Sequence, residues 1–402
     1  MSEQQVPLRL VPRYQDQGYD DDSIGRRRAW IEEKTGARLD RIGAVPVDGE
    51  KLRGNIENPI GAVSMPLGVA GPLHVRGEAA DGVFYVPLAT TEGALVRSYE
   101  RGMAMITRAG GAEVRIWADE NRVSPIFHLP GVAAAFDFAE RLRLDFPRVK
   151  AAAEATTRHG KLLRLDCQPV GRKVIVDLHF HTADAHGMNM IVKAADAACR
   201  YILDSQGGER YLIFSGYDSE KHASGSLLRG GKGKKVVAGC TLPASLVRAM
   251  LRVGPAEMAD LWQQTVLGQL MAGALGYNGH YANGLTALFI ATGQDVANVT
   301  NAAVGVTHLE ETPEGDLWAS VTLPSLVVAT VGGGTALGTS RECLEMLGCF
   351  GAGKARKFAE IAAATLLAGE LSIAGAIASG EMVAAHETYG RNRPGQEGNG
   401  KP

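Results

Sequence analysis

Four ionisable side chains of this chain stand in unusually small or apolar surroundings: those of Glu92, Lys221, Asp295 and His386. An ammonium group can stabilise an oxyanion, a carboxyl group with a raised pKa can donate a proton, and an imidazole titrates near neutral pH. Taken singly, each residue also has an ordinary structural explanation, as a helix cap, a complement to a helix dipole or a solvated charge. We favour that explanation by about three to one for any one of them, because functional groups are a minority among ionisable residues.

Two glycine-rich stretches resemble nucleotide-binding loops but do not match their patterns. In "GGKGKK" the glycine that a P-loop needs five positions before Gly231 is Ser226, and in "VGGGTALG" Leu337 takes the last glycine position of GxGxxG. We interpret "VGGGT" as a tight turn into a helix whose amides could face a phosphate. His179 and His181 share one face of a predicted strand, but no third ligand accompanies them, so we predict no metal site.

The segment around Glu92 and the one after it carry clear secondary-structure patterns. "GVFYVPLAT" alternates and predicts a strand, and Thr90 or Thr91 can cap a helix from Glu92 to about Thr107. Residues 123–210 then mix two amphipathic helices with the predicted strands "KLLRLDCQPV" and "RKVIVDLHFHT". This alternation predicts a compact α+β domain inserted in the chain.

The rest of the chain is predicted to be mainly helical. Residues 1–56 are charged and helix-leaning, with Asp22 or Ser23 as a cap, and we interpret them as an N-terminal appendage. Residues 244–288 and 361–386 are helical and rich in small residues, which lets helices pack closely in a dense core. The polar end of the chain, residues 395–402, is predicted to be disordered.

Composition narrows the class of protein. The 402 residues include 42 Lys and Arg against 44 Asp and Glu, which gives no electrostatic reason to expect nucleic acid or an acidic membrane as a partner. The five cysteines lack a CxxC spacing and are odd in number, as expected for free thiols in a reducing compartment. The start of the chain lacks a signal pattern, and Glu370 interrupts the apolar stretch Ile361 to Ala378, which we interpret as a core helix. We therefore predict a cytoplasmic protein.

Six segments are informative when they are taken together: "ENPIGAVSMPLGVAGPL", "VPLATTEGALVRSYERG", "DAHGMNMI", "SGYDSEKHASGSLLRGGKGKKVV", "GYNGHYANGLTALFIATGQDVANV" and "VGGGT". Their order and spacing resemble the catalytic domain of the hydroxymethylglutaryl-CoA (HMG-CoA) reductases, from about Glu57 to Arg391. The chain looks closer to the form shared by eukaryotes and many prokaryotes than to the shorter bacterial form. The membrane segments of the animal members are absent, which predicts a soluble enzyme.

The resemblance implies a catalytic role for each of the four ionisable residues. The family reduces an acyl-CoA thioester to an alcohol with two NADPH, through a hemithioacetal and an aldehyde. Lys221 would stabilise the oxyanion that hydride addition creates, and Glu92 would be the catalytic acid. Asp295 would hold Lys221 and Glu92 in one network, and His386 would protonate the departing CoA thiolate.

The resemblance also implies a cofactor site at "DAHGMNM". There glycine lets the backbone approach a dinucleotide, and the following helix offers its N-terminus to phosphate. Two arginines match positions beside the cofactor phosphate and favour NADPH; NADH stays possible because Gly390 replaces an expected asparagine. His186 stands where the family usually has methionine. The implied cofactor residues are Asp184, His186, Gly187, Met188, Asn189, Arg158 and Arg391.

Further positions match the substrate site of the family, but the cations that hold the substrate carboxylate are largely replaced. Val123 stands at the expected arginine, with Arg122 one place earlier; His222 replaces one lysine, and Gln263 or Gln264 replaces another. Burying a carboxylate without its cations is costly. The candidate substrate and CoA residues are Ser98, Arg101, Arg122, Ser215, Glu220, His222, Arg252, His280 and Asn283.

Three functions therefore stay open. The first is reduction of HMG-CoA to mevalonate, with Arg122 and a protonated His222 as replacement cations. The second is the same hydride chemistry on a less anionic acyl thioester or carbonyl compound. The third is a catalytically silent binding homologue, and the complete set of four catalytic residues argues against it.

For the architecture, the resemblance implies an α+β fold. A large, mainly helical domain for substrate and CoA would comprise residues 57–122 and 211–394. A small ferredoxin-like NADP-binding domain, residues 123–210, would be inserted in it. The resemblance also implies a homodimer or a higher homo-oligomer with active sites at the subunit interface.

Overall fold

The computed structural model describes residues 11, 12, 14, 18–46 and 48–381. The predictions for His386, Arg391 and the tail at residues 395–402 lie outside the described residues. All five cysteines are described, and they are buried free thiols, as the sequence predicted.

In the described part of the chain, thirteen α-helices and ten strands confirm the predicted α+β class. The helices are α1 (Asp21–Thr35), α2 (Asp40–Ala44), α3 (Gly49–Leu52), α4 (Leu95–Arg108), α5 (Val132–Leu144), α6 (Phe146–Glu154), α7 (Met188–Gln206), α8 (Ala244–Leu251), α9 (Pro255–Met271), α10 (Tyr281–Thr292), α11 (Val299–Ala302), α12 (Gly338–Met346) and α13 (Ala355–Ala378). The strands are β1 (Leu67–Arg76), β2 (Asp81–Ala89), β3 (Ala112–Val123), β4 (Ile126–His128), β5 (Lys161–Val170), β6 (Lys173–His181), β7 (Arg210–Leu212), β8 (Gly233–Leu242), β9 (Val306–Glu311) and β10 (Leu317–Leu326).

Six strands form the sheet of the larger core, in the order β2-β1-β3-β8-β10-β9. Neighbouring strands are antiparallel except β1 and β3, which are parallel. Helix α13 packs against this sheet and against α4. Among the described residues it is the one helix long and apolar enough to cross a membrane, but 78% of its most apolar window is buried inside the fold. That burial is what a core helix requires.

Small residues let α4 and α13 come into close contact; the sequence predicted such packing for residues 244–288 and 361–386, and α4 lies outside both stretches. A Cβ atom on Gly102 of α4 would overlap the carbonyl group of Ala368 on α13. In return, a Cβ atom on Gly369 of α13 would overlap the ring of Tyr99 on α4. Because neither position can carry a side chain unless the helices separate, these two glycines set the distance between the helices.

The smaller core contains β4, α5, α6, β5, β6, α7 and β7, and its apolar residues form a separate cluster. Its strands are antiparallel in the order β7-β4-β6-β5, which is the ferredoxin-like arrangement that the resemblance implied. The first connection holds two helices, α5 and α6, where the sequence predicted one. Strand β3 continues from the larger sheet and pairs with β6 through residues 121–123. The proposed domain boundaries near residues 123 and 210 thus fall within strands, and that division stays a proposal.

Two helix ends differ from the prediction. Asp20, not Asp22 or Ser23, caps α1, because its side chain accepts a hydrogen bond from the Ser23 amide at 2.8 Å. The backbone of Asp20 is extended, as a cap requires, so the following aspartates fall in the first helical turn. At the other end of the chain, α13 ends at Ala378, short of the predicted end at residue 386.

The start of α4 is a further correction, and it concerns a candidate catalytic residue. The helix begins at Leu95 rather than at Glu92, since Ala94 takes a left-handed conformation (φ 71°) that interrupts the helical path. Neither Thr90 nor Thr91 is therefore its cap. Glu92 lies in the turn before the helix, outside the first helical turn in which the helix dipole acts most strongly.

Candidate functional site

The loop that carries Lys221 is held in an uncommon backbone conformation. Ser219 and Lys221 have left-handed φ angles of 54° and 56°, which cost free energy for residues other than glycine. The buried side chain of Asn301, on α11, stabilises this path. The Lys221 amide donates to its Oδ1 atom at 3.0 Å, and its Nδ2 atom donates to the carbonyl oxygens of Ser219 at 2.8 Å and His222 at 3.0 Å. Asn301 therefore positions the lysine through the main chain.

Lys221 and Asp295 form a direct ion pair, with 2.7 Å between Nζ and Oδ2. Asp295 also caps the 3₁₀ turn at Val296–Asn298, because its Oδ1 atom accepts the Ala297 amide at 3.1 Å. Both members of the pair line a cavity of about 700 Å³. Two of the four candidate catalytic residues thus meet within one chain.

The same cavity is lined by the start of α7, where the sequence predicted a cofactor. Gly187 caps α7 with a left-handed φ of 79°, and a Cβ atom there would overlap Thr182. The first amides of a helix of this length are free to bind an anion such as a phosphate. The lining includes the cofactor candidates His186, Gly187, Met188 and Asn189, and the glycine turn at residues 332–334 also belongs to it. The arrangement fits a dinucleotide phosphate.

Two further cofactor candidates, Asp184 and Arg158, are not among the described residues that line this cavity. The Asp184 carboxylate accepts the amides of Gly353 at 2.8 Å and Ala355 at 3.0 Å, at the start of α13. Burial would raise the pKa of Asp184, but these amides outweigh it and lower the pKa. Arg158 is exposed and is not among the described residues that line this cavity.

Glu92 lies in a second cavity, of about 790 Å³. Asn283 fixes it there, because its Nδ2 atom donates to the two carboxylate oxygens at 2.9 and 3.1 Å. Arg101 is fixed in the same cavity by hydrogen bonds from its guanidinium to the Ser372 side chain and carbonyl oxygen. The predicted residues in this lining are Glu92, Ser98, Arg101, His280 and Asn283.

Within one chain, Glu92 is therefore apart from Lys221 and Asp295. Among the described residues, the linings of the two cavities have no member in common. The sequence predicted a single network of these three residues, and a single chain does not form it.

The two predicted replacement cations, Arg122 and His222, lie outside the Lys221 cavity. Arg122 is 7% exposed, and its Nη1 atom pairs with Asp177 Oδ2 at 3.2 Å in a different cavity of about 260 Å³. The His222 ring is exposed, and its Nδ1 atom lies 2.6 Å from the Glu220 carbonyl oxygen. Neither residue is among the described residues that line the Lys221 cavity.

Two other substrate candidates are occupied by protein groups. The Ser215 hydroxyl donates to the Ser124 carbonyl oxygen at 2.6 Å. The Arg252 guanidinium lies 2.6 Å from the Glu381 carboxylate at the surface. A CoA phosphate that binds Arg252 would have to replace that carboxylate.

Sequence reasoning missed a buried lysine beside the site. Lys232 is fully buried, and its Nζ atom lies 2.5 Å from Glu220 Oε2. Burial would raise the pKa of Glu220, but His186 and Lys232 outweigh it and lower the pKa to about 2. The signal lies in "GGKGKK", where glycines flank Lys232 in a stretch that also belongs to the family resemblance. Asn301, also missed, lies in the unremarkable sequence "VTNAAV".

His179, one of the two histidines on β6, belongs to a buried ionic cluster. Its Nε2 atom is 3.1 Å from Asp177 Oδ2, and its Nδ1 atom is 3.3 Å from Glu120 Oε1. Burial lowers the pKa of His179, but the two carboxylates outweigh it and raise the pKa. The hydrogen bond with His179 is in turn the main reason that the pKa of Glu120 falls to about 2. In the described residues, no three His, Cys, Asp or Glu side chains are grouped as a metal site needs.

We expect His179→Gln to destabilise the fold in a pH-dependent way. Because the pKa of His179 is raised above that of an unfolded chain, about 6.5, its contribution to the free energy of unfolding is complete below that pH and is lost as the pH rises through the folded pKa. Chemical denaturation should show a loss of about 2 kcal/mol near pH 6 and a smaller loss near pH 9. The exposed His159→Gln is the control. A loss that grows with pH would contradict this assignment.

Known proteins of one family are similar to this chain over most of its length. A sequence model of the family described as "Hydroxymethylglutaryl-coenzyme A reductase" matches residues 23–391. The 3-hydroxy-3-methylglutaryl-coenzyme A reductase of Methanothermobacter thermautotrophicus is 41% identical over 374 residues, which cover 92% of this chain and 94% of the relative. That of Methanocaldococcus jannaschii is 43% identical over 373 residues, which cover 91% and 92%.

Among solved structures, the fold is similar to the class II 3-hydroxy-3-methylglutaryl-CoA reductase from Streptococcus pneumoniae, bound to NADPH in open conformations. The TM-score is 0.68, and the match covers 90% of this chain and 98% of that chain. The sequence identity is 19%, so this comparison supports the fold alone.

Proposed function

Because this chain belongs to the hydroxymethylglutaryl-CoA reductase family, we propose that it reduces HMG-CoA to mevalonate with two NADPH, through a hemithioacetal and an aldehyde. The observation that carries this proposal is the Lys221–Asp295 ion pair, 2.7 Å long, in one cavity with the N-terminus of α7. A cation and a phosphate-binding helix end are what a hydride transfer from a dinucleotide to a carbonyl group requires.

Lys221 stabilises the negative charge that forms on the substrate oxygen at each reduction step. Its ammonium group is partly exposed in the cavity, so a substrate oxygen can reach it. Asp295 fixes the ammonium group on one side, and Asn301 fixes the backbone on the other. A cation held in this way needs no reorientation when the charge develops, so it stabilises the transition state more than water does.

The residues of the cavity fit NADPH, which supplies the hydride when it is bound. The amides of the first turn of α7 would hold phosphate groups, and Gly187 allows the left-handed turn that starts this helix, where a Cβ atom would overlap Thr182. Arg158 and Arg391 would neutralise the additional phosphate that distinguishes NADPH from NADH.

We assign the completion of the active site to a homodimer. Support comes from the position of Glu92, which lies in another cavity than Lys221 of the same chain. Helix α9 also exposes apolar side chains that a second chain could cover, those of Leu267, Leu270 and Met271. In this dimer, Glu92 of one subunit donates the proton to the substrate oxygen at Lys221 of the other, and His386 protonates the CoA thiolate.

A less anionic acyl substrate is the second candidate. It is favoured by the contacts of Arg122 and His222, which place neither cation among the described residues that line the Lys221 cavity. For the location in the cell we propose the cytoplasm, since five buried free thiols fit a reducing compartment.

NADPH oxidation by the purified full chain tests both candidates. It is followed at the nicotinamide absorbance with HMG-CoA and, in parallel, with uncharged acyl-CoA thioesters of similar size. Turnover of HMG-CoA with kcat of at least about 1 s⁻¹ supports the main proposal. Turnover of the uncharged thioesters alone would replace it with the second candidate, and NADPH binding without any turnover would contradict both.

A further inference from the structure

His186 lies between two ion pairs of the Lys221 cavity. Its Nε2 atom is 3.6 Å from Glu220 Oε1, and its Nδ1 atom is 3.9 Å from Asp295 Oδ2. The other oxygen of Glu220 contacts the buried Lys232 at 2.5 Å, and the same oxygen of Asp295 contacts Lys221 at 2.7 Å. The five side chains form a row of alternating charge with the imidazole at its centre.

The imidazole is the member of this row whose type changes charge near neutral pH. Its neighbour Glu220 stays anionic, because Lys232 holds that carboxylate from the protein interior. A further acid, Asp218, is buried at the same end of the row with its Oδ2 atom 4.0 Å from Lys232 Nζ, and burial raises the pKa of this carboxyl group. Among the described residues, His186 Nε2 is buried without a hydrogen-bond partner, so a proton on this nitrogen faces the Glu220 carboxylate.

We propose that His186 is a positioning residue that sets how much of the Lys221 charge is available to the substrate. When the imidazole carries its proton, it shares the Asp295 carboxylate with Lys221, so Asp295 neutralises less of the ammonium charge. When the imidazole is neutral, Asp295 pairs with Lys221 alone. The substrate oxyanion is therefore stabilised best while His186 is protonated.

This inference rests on the proposed function, which assigns oxyanion stabilisation to Lys221. It also gives a functional meaning to His186, which stands where the family usually has methionine. The methionine that the family resemblance leads one to expect there has no charge to share with Asp295, so the device belongs to chains with a histidine at this position.

The kinetic test uses the free aldehyde, mevaldehyde, so that the CoA-releasing step assigned to His386 is bypassed. The wild-type rate at saturating substrate is expected to fall about fivefold between about pH 5 and pH 8, while KM changes little. His186→Met should remove this fall and keep the rate low throughout. His186→Lys, a permanent cation, should keep the higher rate to more alkaline pH. His308→Gln, on β9, is the matched control and should follow the wild type. A fall that persists unchanged in His186→Met would overturn the inference.

A titration that needs no turnover separates the two proposals. NMR of the full chain with isotopically labelled histidine follows the His186 ring, whose signal is identified by its absence in His186→Met. Asp295→Asn should move the midpoint of that titration to lower pH, because one carboxylate no longer stabilises the imidazolium. Lys221→Met should move it to higher pH, because Asp295 then has one cation fewer. Midpoints equal to that of the wild type would show that the groups are not coupled and would end the inference. Wild-type protein that oxidises NADPH with neither substrate would end the proposed function instead, while the titration still decides the coupling.

Discussion

Replacing Lys221 with alanine is expected to lower kcat for NADPH oxidation by at least about 10²- to 10³-fold while NADPH affinity stays within about twofold of the wild type. The ammonium group is 2.7 Å from Asp295, so its removal leaves the substrate oxyanion beside an unpaired carboxylate. The helix end that would hold the cofactor phosphates is on α7 and is not altered. Steady-state rates with HMG-CoA give kcat, and quenching of NADPH fluorescence gives the affinity.

Lys173→Ala is the matched control for this experiment, because Lys173 is an exposed lysine at the start of β6. Lys221→Arg adds a test of geometry, since it keeps the charge but changes the shape of the cation, and it should recover only part of the rate. A kcat of Lys221→Ala within tenfold of the wild-type value would contradict the role assigned to Lys221.

Glu92→Gln is expected to inactivate the protein to a similar degree, and its combination with a Lys221 variant reports on the dimer. The amide retains the shape of the carboxyl group and, through its oxygen, can accept one of the two hydrogen bonds from Asn283, but it cannot donate the same proton. If the two residues act from different subunits, a mixed dimer of Glu92→Gln and Lys221→Met chains contains one intact site and one with both defects. Random mixing in cells that express both chains should then restore about one quarter of the wild-type activity.

Differently tagged chains allow the mixed dimers to be isolated by two successive affinity steps. Each single variant, purified in the same way, is the control for residual activity. If the mixed dimers are as inactive as the parents, then Glu92 and Lys221 act from the same chain, which would require one chain to close the gap between its two cavities.

Local patterns predicted the smaller core well. The strand predicted in "KLLRLDCQPV" is β5 with the same bounds, Lys161–Val170, and β6 lies within the next predicted strand. Glycine and alanine content predicted close packing for the helix that is α13, which contains Gly369, but did not indicate Gly102 of α4 as its partner. These features depend on residues near one another in the chain, so periodicity and composition carry them.

The site was harder to predict because its contacts join distant parts of the chain. Asn301 is 80 residues from Lys221, and Asp177 is 55 residues from Arg122, so no local pattern links either pair. The predicted position of Glu92, in the first turn of α4, was wrong for a different reason. Its helix starts late because Ala94 takes a left-handed conformation, which alanine seldom adopts and which sequence propensity does not indicate.

The loop around Lys221 is held through main-chain atoms, so its backbone conformation does not depend on hydrogen bonds from its own side chains. Asn301 contacts the amide of residue 221 and the carbonyl oxygens of residues 219 and 222, so no loop side chain takes part in these three hydrogen bonds. A substitution at position 222, where this chain has the exposed His222, therefore keeps these three hydrogen bonds, whereas Glu220 is paired with the buried Lys232. The loop thus tolerates a new side chain next to the lysine to which we assign the hydride chemistry, without moving that lysine.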